Sequence, residues 1–456
     1  MLLILIGLLL VQMTLGASSQ GTLGTGRGEI QVAQVKGGEK VLFIGGAETL
    51  HSSYSKSVDL FNTLTGECQT TWPFSDGRSG MAVTSVQDRW VVVAGGASQE
   101  FRVVSTRIDI YDAFTNQWCI TEMQTARSQI AVVSIGTKVL LAGGMTSWFG
   151  QVTNLVEIYD VASGVWLPGA PLSLARSDIG AVAVGTLVAI FAGGYAILET
   201  ATEPALALAS RHVDIWHASN NSWTVASLSG VLDSRIASTR VTSNGTHAFF
   251  LLKQDQYHDE ESIIMDVYNA VLGSWSTIPI DLLPGHAHRG EATTVSYGSH
   301  IMVAGDGDMF RTPLSTSIDF YDLTTGTMVK NTTLIRPRYS MGATVIPTRV
   351  GSGATFLFAG GFQSGAIASG IVEMFCPHCS TPTIPSFQCF PTSPVIPATT
   401  AVCHPIPSPV VDDNIPTWMM IVLVVASIAF GFLLCFCFRA RHFRSPSVDD
   451  HVLLDP

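Results

Sequence analysis

The sequence predicts an all-β fold, a ring of repeated four-stranded sheets, followed near the C-terminus by one transmembrane helix. Three observations predict it. A unit of about 50 residues recurs along most of the chain, a period that marks stacked or circular arrays. Charged residues make up only 13% of the chain, against about 25% in ordinary globular domains, as expected where strands are covered on both faces. Finally, Trp418 to Phe438 contains no charged residue and has the length a membrane-crossing helix needs.

The unit is clearest from Val91 to Arg127. An apolar run, Val91-Val92-Val93-Ala94, leads into Gly95-Gly96; Ile108-Asp109-Ile110-Tyr111-Asp112, Trp118 and Arg127-Ser128 follow. The next copy has Val139 to Ala142, Gly143-Gly144, Val156 to Asp160, Trp166 and Arg176-Ser177, and the one after it Val188 to Ala192, Gly193-Gly194, Val213 to Trp216, Trp223 and Arg235. The apolar run suits a strand buried on both faces. The diglycine suits a place where a Cβ would block the backbone angles or the packing. Tyr and Trp supply the bulk that fills the space between successive sheets.

This pattern resembles the kelch repeat, and the resemblance implies a β-propeller of four-stranded blades. Seven copies lie between Glu29 and Phe375, marked by Gly45-Gly46, Gly95-Gly96, Gly143-Gly144, Gly193-Gly194, Lys253-Gln254, Gly305-Asp306 and Gly360-Gly361. Six blades is the alternative, should the degenerate fifth copy be a loop. Cys68 takes the Trp position in the first copy and Met328 in the sixth, and Leu198 to Ala209 is an insertion expected to form a surface loop. The seventh copy stops at Cys376 without a fourth strand. Either the residues after the N-terminal apolar segment or Ser386 to Phe390 is expected to close the ring.

The chain ends fix the expected topology. Residues 1–17 read as a secretory signal, with an apolar stretch from Leu2 and small residues at Gly16-Ala17-Ser18, although no Lys or Arg precedes the stretch. Gly21 to Gly28 is expected to be irregular. Residues 376–416 hold ten of the 21 prolines and read as a semi-rigid stalk. The helix 418–438 is preceded by Asp412-Asp413 and followed by Arg439, Arg441 and Arg444, which places 439–456 in the cytoplasm. The expected protein is a type I single-pass membrane protein at the cell surface or in endosomal or lysosomal membranes.

An arginine recurs before the innermost strand of the copies: Arg78, Arg127, Arg176, Arg235, Arg289 and Arg338. In a closed ring these fall at equivalent positions, and a rim of guanidinium groups would bind carboxylates through their planar forks. The competing expectation is that they pair with acidic groups of neighbouring blades. Cys68, Cys119, Cys376, Cys379, Cys389 and Cys403 are expected to form disulfides in an oxidising compartment. Zinc ligation by Cys376, His378, Cys379, Cys389, Cys403 and His404 is the less favoured reading. Sequons stand at Asn220, Asn244 and Asn331, expected at turns. Cys435 and Cys437, at the inner end of the membrane helix, are candidates for palmitoylation. In the tail, Asp449, Asp450, Leu453 and Leu454 match an acidic dileucine pattern, which would engage a clathrin adaptor.

The formal net charge of -11 argues against nucleic acid as a partner, and neither cofactor nor metal is expected. Copper radical oxidases of the galactose-oxidase type share a kelch-like propeller but need a Tyr crosslinked to a Cys, a second Tyr and two His. Here the only propeller cysteines are Cys68 and Cys119, and the only close histidine pair is His286 and His288. A sugar isomerase would need an acid/base pair, for which Glu291 is a lone candidate. The expected function is therefore binding of an extracellular or lumenal protein or carbohydrate, not catalysis. A propeller-mouth enzyme and a structural adhesion module are the alternatives.

Overall fold

The apolar run of each repeat is the second strand of a sheet, and its position explains why it needs no polar alternation. Trp90–Ala94 is buried along its whole length. It pairs antiparallel with Ala82–Val86 on one side and Arg107–Asp112 on the other, and Gln117–Glu122 completes the set. A computed structural model describes residues 17–49, 53–98, 103–147, 151–198, 206–231, 241–253, 263–280, 292–306, 314–323, 325–347, 353–377, 379, 384–391 and 403. Among these residues the four-stranded antiparallel arrangement with the apolar run as its second strand occurs five times as a separate sheet and twice within a nine-stranded sheet, seven times in all. The fold is all-β and propeller-like.

The innermost strands are Gln31–Val35, Ala82–Val86, Ala131–Ile135, Gly180–Val184, Val241–Ser243, Thr293–Tyr297 and Gly342–Pro347. Each lies beside the next, and the last lies beside the first. They surround a cavity of about 240 Å³ whose wall includes Ile30, Val32, Val83, Ile130, Ile179 and Met341. Successive sheets pack through apolar faces. Val35, Leu42 and Ile44 of the first meet Met81, Val91, Val93 and Tyr111 of the second.

The aromatic pair of the repeat is a cross-strand pair. Tyr111 stands opposite Trp118, Tyr159 opposite Trp166, Trp216 opposite Trp223 and Tyr268 opposite Trp275. In the sixth sheet Tyr321 faces Met328, and in the first Phe61 faces Cys68. The first sheet lacks a Trp because another ring fills the space. Phe387 stacks on Phe61 at 3.8 Å between centroids, and Cys68 is bonded to Cys389.

Those two contacts belong to the ring closure, where the sequence-based boundaries need correcting at both ends. The seventh sheet consists of Gly342–Pro347, Ala354–Ala359, Ile371–Cys376 and, as its fourth strand, Ala17–Thr22, paired antiparallel from Ala17 opposite Cys376 to Thr22 opposite Ile371. The sheets therefore include residues ahead of the expected start at Glu29, and Gly21-Thr22 is strand rather than irregular. An edge left open by the truncated seventh repeat would expose unpaired backbone groups, and the N-terminal strand covers it.

Residues 376–416, read as a stalk, are also partly folded. Phe387–Pro391 runs parallel both to Ala17–Thr22 and to Cys68–Thr71, so it joins the outer edges of the seventh and first sheets. Both closure candidates thus contribute. Proline content hid this strand, because the residues that seat it, Ile384, Phe387 and Cys389, are few but buried. The insertion at 198–209 is not a loop throughout but a hairpin, Tyr195–Leu198 paired with Leu206–Ala209. Of the signal expected over 1–17, Ala17 is instead the first residue of the strand Ala17–Thr22; residues 1–16, the helix 418–438 and the tail lie outside the described residues. Among the described residues no helix is long and apolar enough to cross a membrane.

Phe387 also fits against the backbone, since a Cβ at Gly21 would lie 2.2 Å from its ring. Phe387→Ala is expected to lower the unfolding free energy by about 3 kcal/mol. Phe390→Ala, on the exposed side of the same strand, should stay within about 0.5 kcal/mol of the parent. Denaturant unfolding of the two variants checks this.

Candidate functional site

The recurrent arginines are buried, and each holds one sheet to the next. Arg27, Arg78, Arg127, Arg176 and Arg338 are at most 1% exposed. Each pairs with an acidic residue on the third strand of its own sheet: Asp59, Asp109, Glu157, Asp214 and Glu373 respectively. Nη1 donates to the carbonyl of the first glycine of the diglycine and to one at the start of the third strand. For Arg176 these are Gly193 and His212, both at 2.7 Å; for Arg338 they are Gly360 and Ile371, both at 2.8 Å.

In three of the five pairs the carboxylate's other oxygen accepts from the linker arriving from the preceding sheet, whereas that of Asp59 accepts from Thr70 and that of Asp109 from Arg107. Gln124 N donates to Glu157 at 2.7 Å, Ser173 N to Asp214 at 2.9 Å and Ile335 N to Glu373 at 2.7 Å. At three interfaces the arginine's own carbonyl accepts from the second glycine of the preceding sheet: Gly96 N to Arg127 O at 3.0 Å, Gly144 N to Arg176 O at 2.8 Å and, across the closure, Gly361 N to Arg27 O at 2.9 Å. This requires the diglycine. Gly95 and Gly96 have φ of 65° and 94°, and a Cβ on Gly95 would lie 2.4 Å from Arg127 O.

These contacts correct the expectation of a cationic rim. Arg78, Arg127, Arg176 and Arg338 are buried with both Nη atoms held by a carboxylate and carbonyls, although Nε of Arg127 and Arg338 has no partner among the described residues, so they present no free fork to a ligand; their partners lie in their own sheets, not in neighbouring ones. Burial pulls each guanidinium, and that of Arg27, below its ordinary pKa, and the paired carboxylate opposes the shift. Arg235 and Arg289 lie outside the described residues, as do His286, His288 and Glu291. Asp266 of the fifth sheet nevertheless accepts from Ser229 N at 2.7 Å, the linker contact seen elsewhere. Arg27 escaped the sequence reading because it lies in a Gly-rich stretch. Its spacing of 18 residues to Gly45, beside 17 from Arg78 to Gly95, was the available signal.

With the arginines turned inward, the surface beside them is formed by other groups. Two residues beyond four of the arginines, Glu29, Gln129, Asp178 and Ser340 have φ between 51° and 52°, a region sparsely used by non-glycine residues; beyond Arg78 the position is Gly80. They are stitched sheet to sheet, with Glu29 N donating to Ser340 O at 3.0 Å and Asp178 N to Gln129 O at 3.2 Å. On the same side, short hairpins rise from between the second and third strands. They are Ala47–Thr49 with Ser53–Tyr54, Ala97–Ser98 with Val103–Val104, Tyr195–Leu198 with Leu206–Ala209, and Phe362–Gln363 with Ile367–Ala368. The first and last join through Ile367 and Thr49. Val103 and Ile367 are 58% and 64% exposed.

The six outer cysteines form three disulfides, Cys68–Cys389, Cys119–Cys403 and Cys376–Cys379, so none of these thiols is free for zinc or for a crosslink to tyrosine. Asn220 lies in the turn between the third and fourth strands of its sheet and Asn244 in the turn between the first and second of its own. Asn331 is not at a turn; it is an exposed residue within the outer strand Met328–Thr333. Cys435, Cys437, Asp449, Asp450, Leu453 and Leu454 lie outside the described residues.

A family model of the Kelch motif matches residues 126–173, from the linker before Arg127 to that before Arg176. Together with the strand-built, ring-like sheets, the match fits a kelch β-propeller and suggests an interaction module. No curated protein matches the chain.

Arg127→Leu is expected to destabilise the fold by about 3–5 kcal/mol, because Glu157 is left buried without its partner. Adding Glu157→Leu should recover only part of that loss. The carbonyls of Gly143 and Leu155, which accept from Arg127 at 2.9 and 3.1 Å, stay unpaired at about 1–3 kcal/mol each. Chemical denaturation of the single and double variants measures both.

Proposed function

We propose that residues 17–405 form a closed seven-bladed kelch propeller that binds a protein in an extracellular or lumenal compartment, through the face built by the second-to-third-strand hairpins. Trp418 to Phe438 anchors the propeller as a type I membrane protein, and residues 439–456 form the cytoplasmic tail. The observation that carries the reading is the placement of those hairpins. They gather on the side to which the buried arginines bring the backbone, and they offer exposed aliphatic side chains such as Val103 and Ile367.

Two further features support it. Disulfides between distant segments suit an oxidising compartment. Asn220 and Asn244 lie at the opposite ends of their sheets from the hairpins, so glycans there, and on the outer strand at Asn331, leave the hairpin face uncovered. The tail motif of Asp449, Asp450, Leu453 and Leu454 supports cycling through endosomes with a clathrin adaptor, and Cys435 and Cys437, at the inner end of the membrane helix, are candidate palmitoylation sites.

A secreted form of residues 17–405, presented to an array of extracellular proteins, tests the reading. Val103→Asp and Ile367→Asp should each weaken the captured interaction by about tenfold or more, the effect of losing an interface anchor. Val225→Asp, at an exposed position on the outer strand Ser222–Ser227, should leave it unchanged. The reverse pattern would place the ligand on the outer wall.

A further inference from the structure

Beyond the Cys376–Cys379 bond at its base, the C-terminal strap is pinned to the first and second sheets by two disulfides of unequal accessibility. It leaves the seventh sheet at Cys376, sends Ile384 O to accept from Ser19 Oγ at 2.8 Å, and lies as Phe387–Pro391 along the edge of Cys68–Thr71. It reaches the second sheet at Cys403, whose N donates to Ile120 O at 3.2 Å. The inner pin, Cys68–Cys389, is buried at 5% and 4% exposure, shielded by the strand that carries it. The outer pin, Cys119–Cys403, joins two partly exposed cysteines.

We propose that the strap is an ordered redox latch, in which reduction of Cys119–Cys403 must precede that of Cys68–Cys389. A dithiol reductant, whether a small dithiol or a protein with a Cys-X-X-Cys pair, starts the sequence. One of its thiolates attacks a sulfur of the outer pin; the S–S bond breaks and the other cysteine leaves as a thiolate. The second thiol of the reductant then resolves the mixed disulfide. Both electrons come from the dithiol, which ends as a disulfide, and the two released cysteines take up protons. With the Cys119–Cys403 bond broken, the described contacts that still hold the strap to the first and seventh sheets are the inner pin and the noncovalent contacts of Phe387, Ile384 and the strand pairing. Transient lifting from Cys68–Thr71 exposes the inner pin to a second round.

Full opening uncovers the outer edge of the first sheet. That edge then presents unpaired backbone groups and the seat of Phe387 against Phe43 and Phe61, a geometry suited to strand addition. Opening is confined to the strap, because the inner strands and the arginine brackets contain no disulfide.

The test treats the full-length protein in detergent with increasing dithiothreitol, alkylates freed thiols at intervals and maps them by mass spectrometry, with hydrogen exchange followed in parallel. Of the two pins, Cys119 and Cys403 should label before Cys68 and Cys389. In Cys119→Ser/Cys403→Ser, Cys68 and Cys389 should label about tenfold or more faster than in the parent, because exchange depends on access. Once both pairs are open, exchange should accelerate in Cys68–Thr71 and Phe387–Pro391 and stay slow in Val188–Ala192. Labelling of Cys68 and Cys389 first or simultaneously overturns the order, as does an unchanged rate in the variant. Loss of protection throughout overturns the separable latch. If the variant does not fold, the labelling order in the parent decides.

Discussion

A buried arginine paired with a carboxylate is the interaction on which the ring depends. A buried ion pair alone is weak evidence of stability, since desolvation offsets the attraction. Here the guanidinium also satisfies carbonyls at the end of the second strand and the start of the third, and the carboxylate satisfies an amide of the incoming linker. Removing any one member leaves the others buried and unpaired. The unit therefore specifies geometry: it fixes where the linker meets the sheet and forces the preceding glycine pair up to the arginine carbonyl.

That geometry also governs the closure. The contact between Gly361 and Arg27 repeats the contacts of Gly96 with Arg127 and of Gly144 with Arg176, so the seventh sheet meets the first as the second meets the third and the third the fourth. What differs is the outer edge. The seventh repeat has no fourth strand of its own; Ala17–Thr22 supplies it, and Phe387–Pro391 fills the space between that strand and the first sheet. The rings of Phe387 and Phe61 and the Cys68–Cys389 bond replace the aromatic cross-strand pair used elsewhere.

The repeat was legible because apolar runs, diglycines and aromatic positions are each dictated by local geometry, and even the substitutions at Cys68 and Met328 fall in register. The role of the arginines was not legible. A recurrent charged residue beside a turn reads equally as a surface rim or as a buried partner, and only the depth at which Asp109 or Glu157 meets it separates the two. Arg27 and the strap were hidden for a compositional reason, glycine in one case and proline in the other, although Ile384, Phe387 and Cys389 carry the burial. For function, the inward arginines leave the hairpins, with Val103 and Ile367, as the surface on offer.

Arginine footprinting with phenylglyoxal, read by mass spectrometry on the native protein, tests the buried bracket most directly. Arg27, Arg78, Arg127, Arg176 and Arg338 should resist modification while the exposed Arg211 and Arg336 react readily. Modification of the five at the rate of Arg211 and Arg336 would show guanidinium groups open to solvent and contradict the account.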